Sequence, residues 1–391
     1  MKNVEYLAGN ENISNAPLPV FGDDVCAFAA ELSGRLMRAP EARAFPDIST
    51  LAFWCRKGNV EKMKEACQDA DTRLGRGLCF HIAPSNIPIN FAFTFLFGLL
   101  AGNANLVRLP SKRFPQVEPV CRAVREVLKD YPEIEKRTAF VRYPADCGAT
   151  EAFSAMADAR VIWGGDRTVA QLKAMETKPR CIDVAFADRY SVCMLDGKAV
   201  LEAEQSRIKR LAEDFYNDTW LMDQNACSSP QLILWENDSK EARERFWDAA
   251  YETAAARYEM QAAVSVDKYL HMCEDAIDWE TVERIERRGS LLYRAELGAL
   301  TDSMENLRGK GGYFYEYALK DRDELARIVN ERFQTLTCFG IDRQELRRWV
   351  IDSRLRGIDR IAPIGKAMDI GVIWDGFDVV RTLSRLVNVE G

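Results

Sequence analysis

The chain has 391 residues, of which 47% are hydrophobic and 29% are charged, with a net charge of −7 and a pI near 5.3. These values predict a globular protein of two or three domains with a sizeable core. They argue against nucleic acid as a partner, because phosphate binding needs a concentrated basic surface. The longest apolar stretch, 89–101, is shorter than the roughly 20 residues of a membrane-spanning helix, and the N-terminus lacks the apolar core of a signal peptide. We therefore expect no membrane span.

The chain contains eleven cysteines and two histidines. The cysteines form no CxxC pair and no regular framework, which predicts reduced thiols and a cytoplasmic location. His81 and His271 are far apart in the sequence, so no metal site is predicted. We interpret His81, in a buried strand, as a hydrogen-bonded core side chain and His271 as a surface residue.

The first predicted segment, residues 1–74, is mostly helical, with apolar residues at helical spacing after Asp23 and Asp24. It is expected to form an N-terminal helical cap. From Gly75 onward, short apolar runs alternate with helical segments. The predicted strands are 79–84, 104–110, 137–144, 159–165 and 180–186. This alternation predicts a doubly wound parallel sheet in a dinucleotide-binding domain over 75–200, with ligands beyond the carboxyl ends of the strands.

A second α/β domain is predicted over 201–360, where the alternation is looser. A helix leads into the polar turn at 223–230, and a strand and a long amphipathic helix follow. The final segment, 361–391, contains Gly, Pro and aromatic turns and is expected to close the structure.

Cys227 is the strongest candidate for a catalytic residue because it lies in the polar turn between a helix and a buried strand. A cysteine there is exposed enough to react and close to backbone N–H groups that favour its thiolate. Taken alone, the position also fits an ordinary loop cysteine. The shortage of histidine disfavours a cysteine hydrolase, so an acyl adduct on this thiol would be released by something other than activated water, such as a hydride.

Two turns are candidates for binding a dinucleotide. Gly164, Gly165 and Asp166 follow a strand and open a helix, where backbone N–H groups face a pyrophosphate. The turn is not a GxGxxG fingerprint, so an ordinary βα turn is the alternative. Arg108 and Lys112 lie near the end of another strand and suit the 2′-phosphate of NADPH, although a solvated basic loop explains them equally well.

Several motifs occur in an order and spacing that resemble the aldehyde dehydrogenases. They are Pro84–Pro88, Ala101–Asn103, Leu109–Lys112, Gly164–Gly165 and Gln224 shortly before Cys227. Four segments are more specifically similar to the LuxC-type acyl-CoA reductases, the fatty acid reductase subunits of bacterial luminescence operons. They are PSNIPINFAF, IWGGD, NACSSPQ and IGVIWDG. The likeness covers roughly residues 75–391. It implies an aldehyde dehydrogenase-like α/β fold with a Rossmann-type cofactor domain and an α/β catalytic domain.

The resemblance also implies roles for individual residues. Cys227 is the nucleophile that accepts an acyl group from a thioester, and Asn86 is the oxyanion-hole residue that acts with the Cys227 backbone N–H. Ser85 is a further residue that is expected to bind the cofactor. Hydride from the nicotinamide then releases the acyl group as an aldehyde.

Three departures from the wider superfamily are informative. Ala185 stands where aldehyde-oxidising members carry a general-base glutamate, so hydrolysis of the acyl-enzyme is suppressed and reduction is favoured. Lys112 stands where a ribose-binding glutamate would repel a 2′-phosphate, so NADPH is predicted. Leu109 stands where the superfamily has a lysine that contacts the cofactor, unless Arg108 makes that contact instead.

The sequence therefore predicts NADPH-dependent reduction of a fatty acyl-CoA or acyl-protein thioester to an aldehyde through an acyl-cysteine. One alternative keeps the fold and changes the substrate to a short-chain acyl-CoA or an acyl phosphate. Another is a non-catalytic subunit that binds an acyl-protein synthetase. The resemblance also implies a homo-oligomer.

Overall fold

The computed structural model describes residues 3–84 and 87–390. The chain forms two compact units: the first runs to Ala187 and resumes at Phe377, and the second is Asp188–Gly376. The strands in chain order are β1 (Glu5–Gly9), β2 (Arg73–Gly75), β3 (Leu78–Ile82), β4 (Ala104–Arg108), β5 (Thr138–Arg142), β6 (Ala159–Trp163), β7 (Ile182–Phe186), β8 (Tyr190–Asp196), β9 (Pro230–Glu236), β10 (Val282–Arg288), β11 (Leu292–Leu297), β12 (Tyr313–Ala318), β13 (Phe333–Phe339), β14 (Arg360–Pro363), β15 (Ile373–Trp374), β16 (Phe377–Asp378) and β17 (Ser384–Leu386).

Helices cover most of the remaining chain. They are α1 (Asp23–Arg38), α2 (Glu41–Ala44), α3 (Pro46–Trp54), α4 (Lys57–Ala66), α5 (Asn90–Leu100), α6 (Val117–Leu128), α7 (Pro132–Glu135), α8 (Ala149–Met156), α9 (Asp166–Lys173), α10 (Gly197–Glu202), α11 (Gln205–Asp218), α12 (Lys240–Arg257), α13 (Ala262–Asp278), α14 (Arg322–Ile328), α15 (Arg343–Asp352) and α16 (Val379–Thr382). In the part of the chain that the structure describes, no helix is long and apolar enough to cross a membrane.

The first unit is built on a sheet with the strand order β1-β5-β4-β3-β6-β7. Strands β3 to β7 pair in parallel, and β1 joins the edge antiparallel to β5. The chain runs outward from β3 through β4 to β5 and then returns to the other side of β3 as β6 and β7. The strand order therefore reverses between β3 and β6, and open α/β sheets bind ligands at such a switch point. The predicted parallel sheet is confirmed; β4 to β7 lie within their predicted ranges, and β3 begins one residue before its range.

The centre of this sheet explains why the most apolar stretch of the chain forms a buried helix. All residues of α5 are buried. His81 of β3 is bonded through Nδ1 to Thr94 Oγ1 at 2.8 Å and through Nε2 to Asn105 Oδ1 at 2.9 Å. Burial lowers the pKa of His81 to about 4, so it is a neutral core side chain, as predicted. Gly98 permits the close approach, since a Cβ atom there would lie 2.0 Å from Asn105 Oδ1.

Residues outside the predicted cofactor segment complete the first unit. Helices α1 to α4 occupy most of the predicted helical cap, and strand β1 was not predicted. Strand β17 returns to pair antiparallel with β2, and Arg73 Nε donates to Ser384 Oγ at 2.8 Å. The domain boundaries predicted from the sequence, at residues 74, 200 and 360, separate segments by their expected roles and remain a prediction.

The second unit is built on a sheet with the order β10-β11-β12-β9-β8-β13-β14. All neighbours pair in parallel except β10, which is antiparallel to β11. Register pairs Tyr190 with Phe333 and Ser191 with Pro230. The amino ends of β8, β9 and β13 therefore meet at one edge, which supports the turn that contains Cys227.

A buried carboxylate lies in the core of this second unit. Glu316 of β12 is 1% exposed. It accepts hydrogen bonds from Trp235 Nε1 at 3.0 Å, Trp247 Nε1 at 2.6 Å and Arg294 Nε at 2.7 Å. Burial opposes the charged form of Arg294, but the carboxylates of Glu316 and Glu244 outweigh it and raise the pKa of this guanidinium. The ion pair is therefore fully formed and its charges are compensated.

Candidate active site

The turn that carries Cys227 is held by the two strands beside it. Cys227 lies between the 3-10 turn Trp220–Met222 and β9 and is half-buried. Ser191 Oγ donates to the Cys227 carbonyl at 2.7 Å and accepts the Thr335 N–H at 3.3 Å. The predicted turn between a helix and a buried strand is confirmed, and its backbone position is fixed by neighbouring strands.

The residues before the cysteine adopt strained backbone conformations. Asp223 and Gln224 have φ values of 52° and 60°, which cost roughly 1–2 kcal/mol each for residues other than glycine. The Gln224 side chain compensates: its Oε1 accepts the Gly312 N–H at 3.1 Å, and its Nε2 donates to the carbonyls of Tyr313 at 3.0 Å and Pro230 at 3.2 Å. Gln224, noted in the sequence only for its place in a motif, therefore anchors the turn that carries Cys227.

The electrostatic surroundings of the thiol differ from the sequence-based expectation. Burial, followed by the negative charge of Asp375, raises the pKa of Cys227 to about 11. The prediction that this turn favours the thiolate is wrong, because burial and the carboxylate outweigh nearby N–H groups. A hydrogen bond from Gln334 lowers the pKa of Cys227 but does not offset this increase.

Asp375 is a component of the site that sequence reasoning missed. Its side chain is buried, and Arg189 Nε lies 3.1 and 3.2 Å from its two carboxylate oxygens. Gln334 also bonds to it. Asp375 has a φ of 51°, a left-handed conformation that is uncommon outside glycine. The signal was present in the IGVIWDG motif, which was noted for its family likeness without a role for its aspartate.

Several buried polar atoms at the same edge of the sheet have no hydrogen-bond partner among the described residues. They are Tyr190 OH, Ser229 Oγ, Gln231 Oε1, Gln334 Oε1 and Thr335 Oγ1. Buried polar atoms are normally paired, so such a group needs an explanation, and a polar ligand is one. Since all of them lie within or just before β8, β9 and β13, the amino edge of this sheet can receive polar atoms of a substrate or cofactor.

The raised pKa of the thiol leads to a test by alkylation. Replacing Asp375 by Asn removes an anion that opposes ionisation, so the pKa of Cys227 falls and its thiolate fraction rises. We expect iodoacetamide to modify Cys227 about tenfold faster at pH 8 in Asp375→Asn than in the unaltered protein. Peptide mass spectrometry reports the rate at this cysteine alone. Asp214→Asn, which changes a carboxylate elsewhere in the unit, is the control, and equal rates in all three proteins would contradict the assignment.

The cofactor candidates lie in the first unit, whereas Cys227 lies in the second. Arg108 ends β4, with its guanidinium 4.8 Å from the ring centre of Tyr143. Lys112 is exposed, with Nζ 5.0 Å from the ring centre of Phe114. In the part of the chain that the structure describes, neither cation forms an ion pair. Arg108 is the last residue of a strand beside β3 and Lys112 follows that strand, as expected for a dinucleotide site.

The glycine turn lies on the other side of β3. The Gly164 N–H donates to the Phe186 carbonyl at 3.2 Å, so it is already used within the sheet. Gly165 precedes α9, with open space where a Cβ would lie, and Asp166 is the exposed first residue of that helix. Ser85 and Asn86, which follow β3, lie outside the described residues.

Across residues 3–84 and 87–390, no three histidine, cysteine, aspartate or glutamate side chains group so as to hold a metal ion. His271, which was predicted to be a surface residue, lies on α13 with its side chain 34% exposed, and its Nε2 lies 3.1 Å from Tyr315 OH.

Solved structures with the same architecture are aldehyde dehydrogenases. An NAD-dependent benzaldehyde dehydrogenase from Corynebacterium glutamicum has a TM-score of 0.61 at 12% identity, covering 94% of this chain and 84% of its own. A 1-pyrroline-5-carboxylate dehydrogenase variant from Thermus thermophilus has a TM-score of 0.63 at 12% identity, covering 93% and 80%. The chain therefore has an aldehyde dehydrogenase-like fold, as its motifs predicted.

Sequence comparison narrows the class. The model of the Acyl-CoA reductase (LuxC) family matches residues 59–268, more than half of the chain. The chain belongs to this family. A long-chain acyl-protein thioester reductase from Vibrio harveyi is 27% identical over 169 residues, which is 42% of this chain and 33% of that relative. The match thus spans a third of that relative's length.

Proposed function

We propose that the protein reduces an acyl thioester to an aldehyde through a covalent acyl group on Cys227, with NADPH as the hydride donor. The observation that carries the proposal is the placement of Cys227: a half-buried thiol in a braced turn, within the part of the chain that matches the acyl-CoA reductase family. The unpaired polar atoms beside it offer contacts for the substrate.

The thiol carries out the first half of the reaction. Cys227 Sγ forms a bond to the acyl carbon, the bond from that carbon to the donor thiol breaks, and the proton of Cys227 leaves with the donor. The Cys227 backbone N–H and the Asn86 amide stabilise the oxyanion that forms in between. NADPH, when bound, supplies a hydride to the acyl carbon. The resulting hemithioacetal anion would break down by releasing the aldehyde and the Cys227 thiolate, which takes a proton from solvent.

The resemblance favours reduction over hydrolysis. It assigns Ala185, which lies in β7, to the position of the superfamily's general-base glutamate. A methyl group cannot activate water, so the acyl group remains on sulfur until hydride arrives. This supports the reductive direction.

Arg108 and Lys112 support NADPH as the cofactor. They lie at and just after the end of β4, and a dianionic 2′-phosphate is a suitable partner for two cations that form no ion pair among the described residues. Gly165 and Asp166, at the start of α9, are the proposed contacts of the pyrophosphate. Ser85 and Gly164 are the other proposed cofactor-binding residues.

Lys112→Glu tests this cofactor assignment. The carboxylate repels a 2′-phosphate, so we expect the KM for NADPH to rise about tenfold or more while the KM for NADH changes little. Steady-state kinetics with each cofactor measure the ratio. Lys129→Glu, at another exposed lysine of the same unit, should leave the ratio unchanged. A parallel loss with both cofactors would show that Lys112 does not contact the 2′-phosphate.

The acyl donor is assigned from the relative's substrate, a long-chain acyl-protein thioester. We propose a fatty acyl-CoA or acyl-protein thioester, with an acyl-protein synthetase as a possible source of the acyl group. All eleven cysteines are free, which supports a reducing compartment, and we propose the cytoplasm.

Intact mass after incubation with acyl donors, without NADPH, tests the function as a whole. We expect a hydroxylamine-labile increase of one acyl group with myristoyl-CoA, located on Cys227. A stronger reaction with acetyl-CoA or an acyl phosphate would change the substrate class on the same fold. No adduct with any donor would overturn the catalytic proposal and favour a non-catalytic subunit.

A further inference from the structure

Helix α13, in the second unit, exposes large apolar residues to solvent and buries two charged ones. Val266, Leu270 and Ile277 are 59%, 55% and 81% exposed. Lys268 and Asp275 are 3% and 2% exposed. Surface helices normally show the reverse arrangement, and large exposed apolar patches mark interaction sites.

The helix is held in this orientation by its buried polar residues. Lys268 Nζ donates to the Gly311 carbonyl at 2.7 Å, and Asp275 accepts hydrogen bonds from Tyr313 OH at 2.7 Å and Tyr315 OH at 2.6 Å. Turning the helix to bury its apolar side would break these bonds and leave the Gly311 carbonyl and the Tyr313 and Tyr315 hydroxyls without these partners. The apolar side therefore faces outward in the folded protein.

The exposed side has the spacing of a coiled-coil seam. Its residues alternate at intervals of three and four, which assigns them to heptad positions a and d. They are Ala263, Val266, Leu270, Cys273 and Ile277. Such a seam is self-complementary, because two identical helices related by a two-fold axis can pack the same positions against each other.

We propose that α13 is a dimer interface in which the helices of two copies of this chain pack in parallel along this seam. Charge complementarity favours a second copy of this chain as the partner and favours parallel packing of the two helices. In a parallel pair, a g position faces the e position five residues later on the other helix, which brings Tyr269 and the adjacent Arg287 next to Glu274 of the second copy. Arg287 lies 5.7 Å from the Tyr269 ring centre and forms no ion pair among the described residues.

Other arrangements fit the surface less well. An antiparallel pair would face e against e and bring Asp267 next to Glu274 of the second copy, which repel each other. A membrane surface is also disfavoured, because the exposed charges of the helix, Asp267, Glu274 and Asp278, are all acidic and the inner leaflet is anionic.

Sedimentation equilibrium of the full chain tests the interface. We expect a dimer whose Kd rises about 100-fold in Leu270→Glu and in Ile277→Glu. Ile351→Glu is the matched control, an isoleucine 65% exposed on α15 of the same unit, and should not change Kd. Thermal melts followed by circular dichroism establish that each variant is folded. A monomer at 100 μM, or a dimer that tolerates both α13 variants, would overturn the proposal.

Charge exchange and crosslinking test the direction of packing. Glu274→Arg and Arg287→Glu should each weaken the dimer, and the double variant should restore it. Mild oxidation should link Cys273 of the two copies, a product lost in Cys273→Ser and retained in Cys147→Ser. Crosslinking only after Leu270→Cys, to Cys273 of the other copy, would instead show antiparallel helices and refute the parallel arrangement. A monomer that sediments with phosphatidylcholine vesicles would refute the dimer itself.

Discussion

Cys227→Ala is expected to lower acyl thioester reduction by about 10⁴-fold. The substitution removes the sulfur that is proposed to accept the acyl group. The decrease in NADPH absorbance with myristoyl-CoA measures turnover, and intact mass should show no acyl adduct. The effect is expected in kcat, because the thiol acts in bond formation rather than in binding.

Cys147→Ala is the control for loss of a thiol. Cys147 is also half-buried but lies in the first unit, before α8. Its removal should leave turnover within a factor of two. If Cys227→Ala retained a tenth of the activity or more, the covalent mechanism would be wrong while the fold and family would stand.

Glu316→Ala is expected to lower the free energy of unfolding by about 3–5 kcal/mol. It leaves the buried guanidinium of Arg294 and two indole N–H groups without their acceptor. Glu244 still contacts Arg294, at 2.9 Å, which places the effect toward the lower end of this range. Urea unfolding followed by tryptophan fluorescence measures it, because Trp235 and Trp247 both contact the carboxylate.

Glu345→Ala separates burial from charge in this experiment. Glu345 pairs with Arg322 at 2.7 Å, but its side chain is 55% exposed. Surface ion pairs contribute about 0–1 kcal/mol, so its loss should be small. Equal effects of the two substitutions would mean that the Glu316 network does not stabilise the core.

The sequence predicted those parts of the molecule that depend on neighbours along the chain. The parallel sheet of the first unit was visible because each strand is a short apolar run that ends in turn residues. The Cys227 turn was visible because polar residues separate a helix from a buried strand. His81 was assigned to the core because it lies within one of those runs, and its hydrogen bonds confirm this.

Features that depend on distant residues could not be predicted. Asp375 lies 148 positions after Cys227, and only folding brings its charge near the thiol. The expected thiolate was wrong for this reason, since local N–H groups were considered without burial or the carboxylate. Strand β1 was missed because its five residues EYLAG carry little strand pattern before they pair with β5.

The second unit is inserted into the first, and this has a consequence for biosynthesis. Strand β2 emerges from the ribosome early, but its partner β17 is made only after the whole of Asp188–Gly376. Domains generally fold as units during synthesis. The second unit can therefore finish folding while the first unit still lacks its two-stranded sheet of β2 and β17, and a chaperone acting on the nascent chain would meet the first unit as the unfinished one.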